Sequence, residues 1–298
     1  MYSIGVDIGG TKIAACLVDE QGSCQEVKTI QSKPHHPEEM FDQVVNCIKR
    51  VVSDAGVSWK DIHGIGAGVP GKVDVEKGMA VYQNNLSWSS FPIEERLRNT
   101  FQTEVWIDND VVMAAYGEWH HANSKSNEIF VYITWSTGIA CCTLYKGSVL
   151  NGCGFAGELG LSFVTSSNQR IEELASGPAI SRRGRVQTGQ HFSTKEWVKN
   201  YYKGDSCSIV LMDDVIKTFS KGIYTIINLL DPHKIIIGGS VITQNPFLLR
   251  SIKDSLKDLV LPEQQGTVDR LFISHLDGKA ALIGAALKRN PDFRSQKK

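Results

Sequence analysis

Neither sign of charge dominates this 298-residue chain: lysine and arginine together number 32, as do aspartate and glutamate. Missing too is a dense basic block, the footprint that a protein tracking a nucleic-acid backbone needs. The small positive surplus over residues 288–298 contains Pro291 and polar residues and reads as a frayed terminus. No apolar run is long enough to cross a bilayer, and the N-terminus lacks a charged segment followed by a hydrophobic signal core, so a cytoplasmic protein that meets no membrane is expected. No Cys-x-x-Cys pair occurs among Cys16, Cys24, Cys47, Cys141, Cys142, Cys153 and Cys207, an odd, scattered set that reads as reduced and mostly buried thiols. Cys141 and Cys142 adjoin in an expected strand, where successive side chains face opposite ways, and the pairs His35-His36 and His120-His121 share that difficulty as metal ligands. Repeats at solenoid spacing and low-complexity segments are absent as well.

What is present is an ordinary globular composition, 42% hydrophobic and 21% charged, in a chain long enough for a substantial core and two lobes of domain size. Its most informative segment is Asp7-Ile8-Gly9-Gly10-Thr11-Lys12. Residues 2–6 and 13–18 read as buried strands, which puts the glycines in the tight turn between them. Without Cβ atoms the turn can bring its N–H groups and the Thr11 hydroxyl close to a polyphosphate, while Asp7 can hold Mg²⁺ directly or through water. A Walker loop or dinucleotide fingerprint would continue into a helix, whereas β-branched and small residues follow here. An ordinary Gly-Gly hairpin with an incidental Asp fits the same residues.

The pattern recurs in mid-chain: residues 129–135 are strand-like, Ser136-Thr137-Gly138 is a turn, and residues 139–145 are strand-like again. Two such units, one opening each half, suggest two related lobes facing each other across a ligand cleft. Helices are expected over residues 38–55, 93–101, 111–121, 170–175, 194–202, 212–230, 247–259 and 280–288, the fourth ending at Gly177 and Pro178. Strands are expected over 62–69, 105–107, 234–237 and 268–273, with a loop carrying Asn84, Asn85 and Trp88. The alternation argues for an α/β fold with mixed sheets.

Three further constellations can carry chemistry. Asp108-Asn109-Asp110 lies where a strand ends and a helix begins; Asp110 can take a proton from a substrate hydroxyl attacking a phosphoryl group, or simply cap the helix. Asn109 is either a sugar-hydroxyl ligand or a turn residue. Glu158, in Gly154-Phe155-Ala156-Gly157-Glu158-Leu159-Gly160, and Glu172, on a short helix, form the carboxylate pair that commonly holds a polyol, although Glu172 alone also reads as a solvated helix residue. Gly238-Gly239 follows a strand and opens a helix, a turn that lets the backbone approach a flat ring or its ribose.

With these residues in place, the chain resembles the ROK (repressor, open reading frame, kinase) family of sugar kinases and sensors within the actin-like ATPase superfamily. The resemblance spans nearly the full length and rests on the first turn, Gly68-Val69-Pro70-Gly71-Lys72-Val73-Asp74, Asn85-Leu86 with Trp88, Asn109-Asp110, and Ala156-Gly157-Glu158 with Glu172 upstream of Ala175-Ser176-Gly177. It implies two actin-like, ribonuclease H-like lobes: residues 1–112, completed by a last helix over 280–298, for the sugar and first phosphate turn, and residues 113–279 for nucleotide, sugar-contacting glutamates and dimerisation. It further implies Mg²⁺-ATP transfer to a hexose primary hydroxyl with Asp110 as base. Gly71, Asn85, Asn109, Asp110, Glu158 and Glu172 would surround the sugar. Asp7, Gly9, Gly10, Thr11, Lys12, Thr137, Gly138, Gly238 and Gly239 would serve ATP, and a homodimer is the family's default.

Three departures qualify the resemblance. Leu161 stands where many relatives have a histidine that binds zinc and sugar, and residues 162–169 are too short for the cysteine loop and contain no cysteine, so a member without structural zinc is expected. The second phosphate turn reads Ser136-Thr137-Gly138-Ile139-Ala140-Cys141-Cys142 in place of further glycines, which restricts the backbone's approach to phosphates. The helix-turn-helix of the family's repressors would lie ahead of the first turn, yet only six residues precede Asp7. The expectation is therefore a hexose kinase acting on glucose or N-acetylmannosamine, with β-glucosides and fructose as alternatives. A non-catalytic sugar sensor is the rival of another class.

Overall fold

A computed structural model describes residues 1–83, 86–125, 127–164 and 168–289. The chain opens with strands β1 (Tyr2–Ile8), β2 (Lys12–Asp19) and β3 (Cys24–Gln31), helix α1 (Pro37–Ala55), strand β4 (Ile62–Val69) and the short strands β5 (Lys72–Asp74), β6 (Met79–Tyr82) and β7 (Ser89–Phe91). Helix α2 (Ile93–Phe101), strand β8 (Glu104–Asn109) and helix α3 (Asp110–His121) follow. Next come β9 (Ile129–Trp135), β10 (Ile139–Tyr145), β11 (Ser148–Val149), and helices α4 (Ile171–Ala175), α5 (Gly177–Thr188), α6 (Thr194–Tyr202) and α7 (Ser206–Leu230). The chain closes with β12 (Lys234–Gly238), α8 (Ser240–Thr243), α9 (Leu248–Lys257), α10 (Gln265–Asp269), β13 (Leu271–Ile273) and α11 (Ala280–Leu287).

These elements form two units, Met1–Ser126 with Lys279–Lys298, and Asn127–Gly278. The division falls at 126/127, whereas the expected lobe boundary lies at 112/113; α3 stays with the first unit because it packs along α11. Each unit holds a five-stranded sheet, β3-β2-β1-β4-β8 in the first and β11-β10-β9-β12-β13 in the second. Both have the same sense along the sheet. Two antiparallel pairs come from the hairpin side and two parallel pairs from the crossover side. The mid-chain echo of the first segment thus corresponds to a repeated sheet. In the first unit β5, β6 and β7 form a further small antiparallel sheet.

The first unit's core forms because Met40, Val44, Ile48 and Val51 recur at helical spacing on α1 and face Ile4, Val6, Ile13 and Leu17 of the sheet. Pro37 opens that helix and Gly56, left-handed at φ 67°, ends it. In the second unit the 25-residue α7 lays Val215, Phe219 and Ile223 against Val131, Ile133, Ile235 and Ile237. Trp135 stacks on Phe219 with ring centroids 4.2 Å apart, and its indole N–H donates to Ala175 O at 2.6 Å.

Several expectations need correction. The strand expected over 268–273 is helix through Asp269, with only Leu271–Ile273 pairing β12, because the Arg270 N–H closes a helical turn onto Thr267 O. Helix α4 ends at Ala175, just ahead of Gly177 and Pro178 as expected, but those two residues also begin a helix that was not expected, α5: Ser176 breaks out at ψ 161° and caps it through Ala179 N–H, and proline suits the first turn. Helix α7 starts at Ser206, capped by Asp205, ahead of the expected 212. Strand β3 and the β5–β7 sheet were not anticipated, since β3 is a largely polar edge strand and the others span three or four residues.

Candidate active site

In the first unit, Asp7, Gly68 and Asp108 lie side by side across β1, β4 and β8. The three strands are parallel, so their carboxyl ends share one edge, where α/β sheets place ligands. The β1–β2 turn begins immediately after Asp7 and Ile8. Gly9 N–H donates to Lys12 O at 3.0 Å, Gly9 O accepts from Ser32 Oγ at 2.6 Å, and Thr11 O accepts from Ser32 N–H at 3.1 Å. Gly9 therefore shapes the turn with its own amide engaged, and Gly10 with the exposed Thr11 and Lys12 occupies the tip.

At the end of β8 the alternatives left open by the sequence separate. Asn109, not Asp110, caps α3: its Oδ1 accepts from Val111 N–H at 2.9 Å and Val112 N–H at 3.4 Å. Asn109 Nδ2 donates to Gly71 O at 2.9 Å. Gly71 itself is left-handed at φ 75°, and a Cβ there would lie 2.9 Å from Gln83 Oε1 and closer still to Tyr82 O, so only glycine fits. Asp110, the first residue of α3, is half-buried and accepts a 3.0 Å bond from Val111 N–H. Burial pushes its carboxyl above the usual range, against the pull of that amide. Asp7 is pushed up to about 7, first by burial and then by the charge of Asp110, with Lys12 opposing. The two carboxylates are thus electrostatic neighbours. Asn85 lies outside the described residues.

In the second unit the Ser136-Thr137-Gly138 turn is held from three sides. Ser136 N–H donates to Gly138 O at 3.0 Å, Gly177 N–H donates to Ser136 O at 2.8 Å, and the Ser136 and Ser240 hydroxyls share a 3.1 Å bond. Glu172 Oε2 accepts from Ile139 N–H at 2.9 Å, which fixes the start of β10 beside Gly138. Thr137 is exposed at the tip. A cavity of about 390 Å³ opens here, lined among others by Thr137, Ser181, Thr194, Lys195, Gln244 and Asn245. The first residues of α5 and α6 face it, so helix N-termini favour an anion in it. Gly239, at φ 89° and tight against the Trp135 backbone, makes the bend after Gly238 that delivers Ser240 and Val241 to the cavity wall.

Glu158 is exposed just before a 3-10 turn, Leu159–Leu161, that packs against β10 and α4. With burial as the larger cause, its charge helps push the Cys141 thiol up to about 12. Ser181, Thr194, Lys195, Gln244 and Asn245 escaped sequence reasoning. The Ser193–Glu196 capping box was readable and marks where α6 starts, but not that this end meets the 136–138 turn. Among the described residues no group of three or more His, Cys, Asp or Glu side chains is arranged to hold a metal ion, and no helix is long and apolar enough to cross a membrane.

The ROK family model matches residues 3–289. The chain is 27% identical to a glucokinase of Streptomyces coelicolor, with 97% of this chain and 98% of that enzyme covered. It is 25% identical to the xylose repressor of Bacillus spizizenii, covering 95% of this chain and 75% of the repressor. Among solved structures, the ROK hexokinase from Thermus thermophilus superposes with a TM-score of 0.81 at 26% identity over 97% of both chains. A ROK family glucokinase from Streptomyces griseus in complex with glucose and AMPPNP gives 0.79 at 25% identity over 96% of this chain and 98% of that one.

Proposed function

The chain belongs to the ROK family, and from that premise we propose that it is an ATP-dependent sugar kinase that phosphorylates the primary hydroxyl of a hexose, with Asp110 as general base. The observation that carries the reading is the acidic pair at the carboxyl edge of the first sheet. Asp110 heads a helix whose cap is supplied by Asn109, so its carboxyl is not needed for capping and its proton affinity is raised toward the working range of a base.

Asp110 accepts the sugar hydroxyl proton as that oxygen bonds to the terminal phosphorus of ATP and the bond to the departing ADP oxygen breaks. Asn109 has one Nδ2–H on Gly71 O and a second for a sugar hydroxyl, while the left-handed Gly71 holds the backbone beside it. Asn85 and Glu158 add sugar contacts, and Glu172 offers Oε1 to a hydroxyl while Oε2 stays on Ile139 N–H. The tip residues Gly10, Thr11 and Lys12, with Thr137 and Gly138, hold phosphates; Gly9 shapes the first turn, and Gly238 and Gly239 bend the wall of the nucleoside cavity.

Mg²⁺ fits these residues. Two neighbouring carboxylates, one of them pushed up to about 7, make a place where a divalent cation relieves repulsion, and Mg²⁺ needs only one or two carboxylates beside water and phosphate oxygens. When bound through Asp7, directly or by water, it neutralises charge on the phosphate oxygens. No structural zinc is needed, a reading supported by Leu161 and the cysteine-free 162–169 segment. Action as a cytoplasmic homodimer without nucleic acid completes the proposal.

A coupled ADP-release screen with Mg²⁺-ATP over glucose, N-acetylmannosamine, fructose and β-glucosides tests it. Turnover on at least one is expected, and none on any would refute the kinase. The second reading, a sugar sensor, is favoured by the similarity to a xylose repressor and by the altered second turn. Calorimetry separates the two: a kinase binds sugar and an ATP analogue, and a sensor binds sugar with little nucleotide affinity.

A further inference from the structure

A buried ion pair lies one residue behind the proposed sugar contacts. Lys288 Nζ meets Asp108 Oδ2, with side-chain exposures of only 11% and 7%, and also sits 5.5 Å from the Tyr116 ring centroid. Burying two charges is costly, and an apolar pair of similar size commonly stabilises a fold as well or better. The pair therefore invites a reason beyond stability.

Its position supplies one. Trp106 and Asp108, two apart on β8, face the same side of the sheet, and Ala285 and Lys288, three apart, fall on one side of α11 and its last turn. The Trp106 indole N–H donates to Ala285 O at 2.6 Å, and the charge pair forms the next rung. Asp108 then uses its other oxygen: Oδ1 accepts from Asn109 N–H at 2.7 Å. Asn109 in turn fixes the head of α3 through Val111 and Val112 and holds Gly71 O through Nδ2. A single carboxylate thus connects Lys288 to the residue that orients both Asp110 and Gly71.

We propose that Lys288 and Asp108 are positioning residues, an ion pair that sets Asn109 for its sugar-hydroxyl contact. The inference rests on the sugar-kinase reading. Lys288 clamps one Asp108 oxygen so that the other stays aimed at the Asn109 amide. Without the cation nothing holds that oxygen, the carboxylate is free to turn, and Asn109 loses its register with Gly71.

The experiment compares wild-type enzyme, Lys288→Met and Lys288→Arg by steady-state kinetics with the sugar found active for the wild type, varying sugar and ATP separately and measuring melting temperature in parallel. If the wild type turns over no sugar, the kinase reading fails, and the pairing is not what failed. Given wild-type turnover, Lys288→Met should raise the sugar KM about tenfold or more while the ATP KM stays within about twofold, and Lys288→Arg should restore most of the loss. A sugar KM equal to wild type in Lys288→Met, whatever its melting temperature, overturns the proposal, as does an equal rise in both KM values. Should Lys288→Met fail to fold, the Asp108→Asn/Lys288→Gln double variant, a neutral pair of similar size, should still raise the sugar KM about threefold or more with the ATP KM unchanged. A wild-type sugar KM there would equally refute it.

Discussion

Asp110→Asn removes one proton-accepting site and almost nothing else, which makes it the sharpest perturbation of the proposed chemistry. Helix α3 keeps its cap, worth about 0.5–2 kcal/mol, because Asn109 supplies it through Val111 and Val112. The new amide oxygen can retain the 3.0 Å bond from Val111 N–H. A first-turn carboxylate is lost at a cost of about 0.3–1 kcal/mol, offset by relief of the repulsion that Asp110 exerts on Asp7. Stability should therefore stay within about 1 kcal/mol, a melting shift of about 2–4 °C at most for a chain of this size. Loss of a general base typically costs about 10²–10⁴ in rate, or about 2.7–5.4 kcal/mol of transition-state stabilisation. Initial rates from coupled ADP release should show kcat reduced at least a hundredfold, about the lower end of that range, with sugar affinity by calorimetry nearly unchanged. A folded variant with kcat near wild type would remove Asp110 from the mechanism.

Further expectations follow from the same sites. Since Asp110 is raised by burial and Asp7 to about 7, sugar kcat/KM should fall as pH drops through neutrality, and saturating Mg²⁺ should move that limb to lower pH; a profile flat to about pH 5 at limiting Mg²⁺ would contradict both shifts. A carboxyl raised in the fold binds its proton more tightly folded than unfolded, so its stabilising contribution is full at low pH and is lost as pH rises from the ordinary 3.8 through about 7. Without Mg²⁺, Asp7→Asn should accordingly gain stability relative to wild type at pH 8 compared with pH 5 in urea titrations, and a pH-independent difference would refute the shift. Gly71→Ala forces a left-handed backbone and a collision with Tyr82 O and Gln83, so a loss of about 1–3 kcal/mol with a raised sugar KM and unchanged ATP KM is expected from thermal melts and kinetics. Trp135→Phe leaves Ala175 O without its 2.6 Å donor, costing about 1–3 kcal/mol and raising the ATP KM, because Ala175 adjoins the segment that holds Ser136; unaltered melting would discount the bond.

Elements with strong periodicity were legible in the sequence. Helix α1 follows from Met40, Val44, Ile48 and Val51, and both hairpins follow from apolar runs around short turns. Strand β3 was not, because an edge strand with Gln25, Thr29 and Gln31 exposed and Glu26 and Lys28 on its other face carries no apolar alternation. Helix α5 was not legible either, because Gly177-Pro178, which correctly marks the end of α4, equally suits the first turn of a following helix, and the Ser176 cap on Ala179 N–H is what starts it. At the site, Asp7, Asn109 and Asp110 were legible as candidates, while the assignment of the cap to Asn109 depended on side-chain direction. The cavity residues Ser181, Thr194, Lys195, Gln244 and Asn245 come from separated segments joined by tertiary packing, which no local pattern encodes.

Helix α11 reaches the first unit only after the whole second unit has been traversed, yet seven of its eight residues are buried, and its Ala285 covers Trp106 and Met113. On the ribosome, the earlier portion of that unit must wait with this apolar seam uncovered until residues 280–287 emerge. Synthesis order thus makes the N-terminal sheet the last to be completed, and nascent chains halted near residue 278 should be clients for chaperones in a way that full-length chains are not.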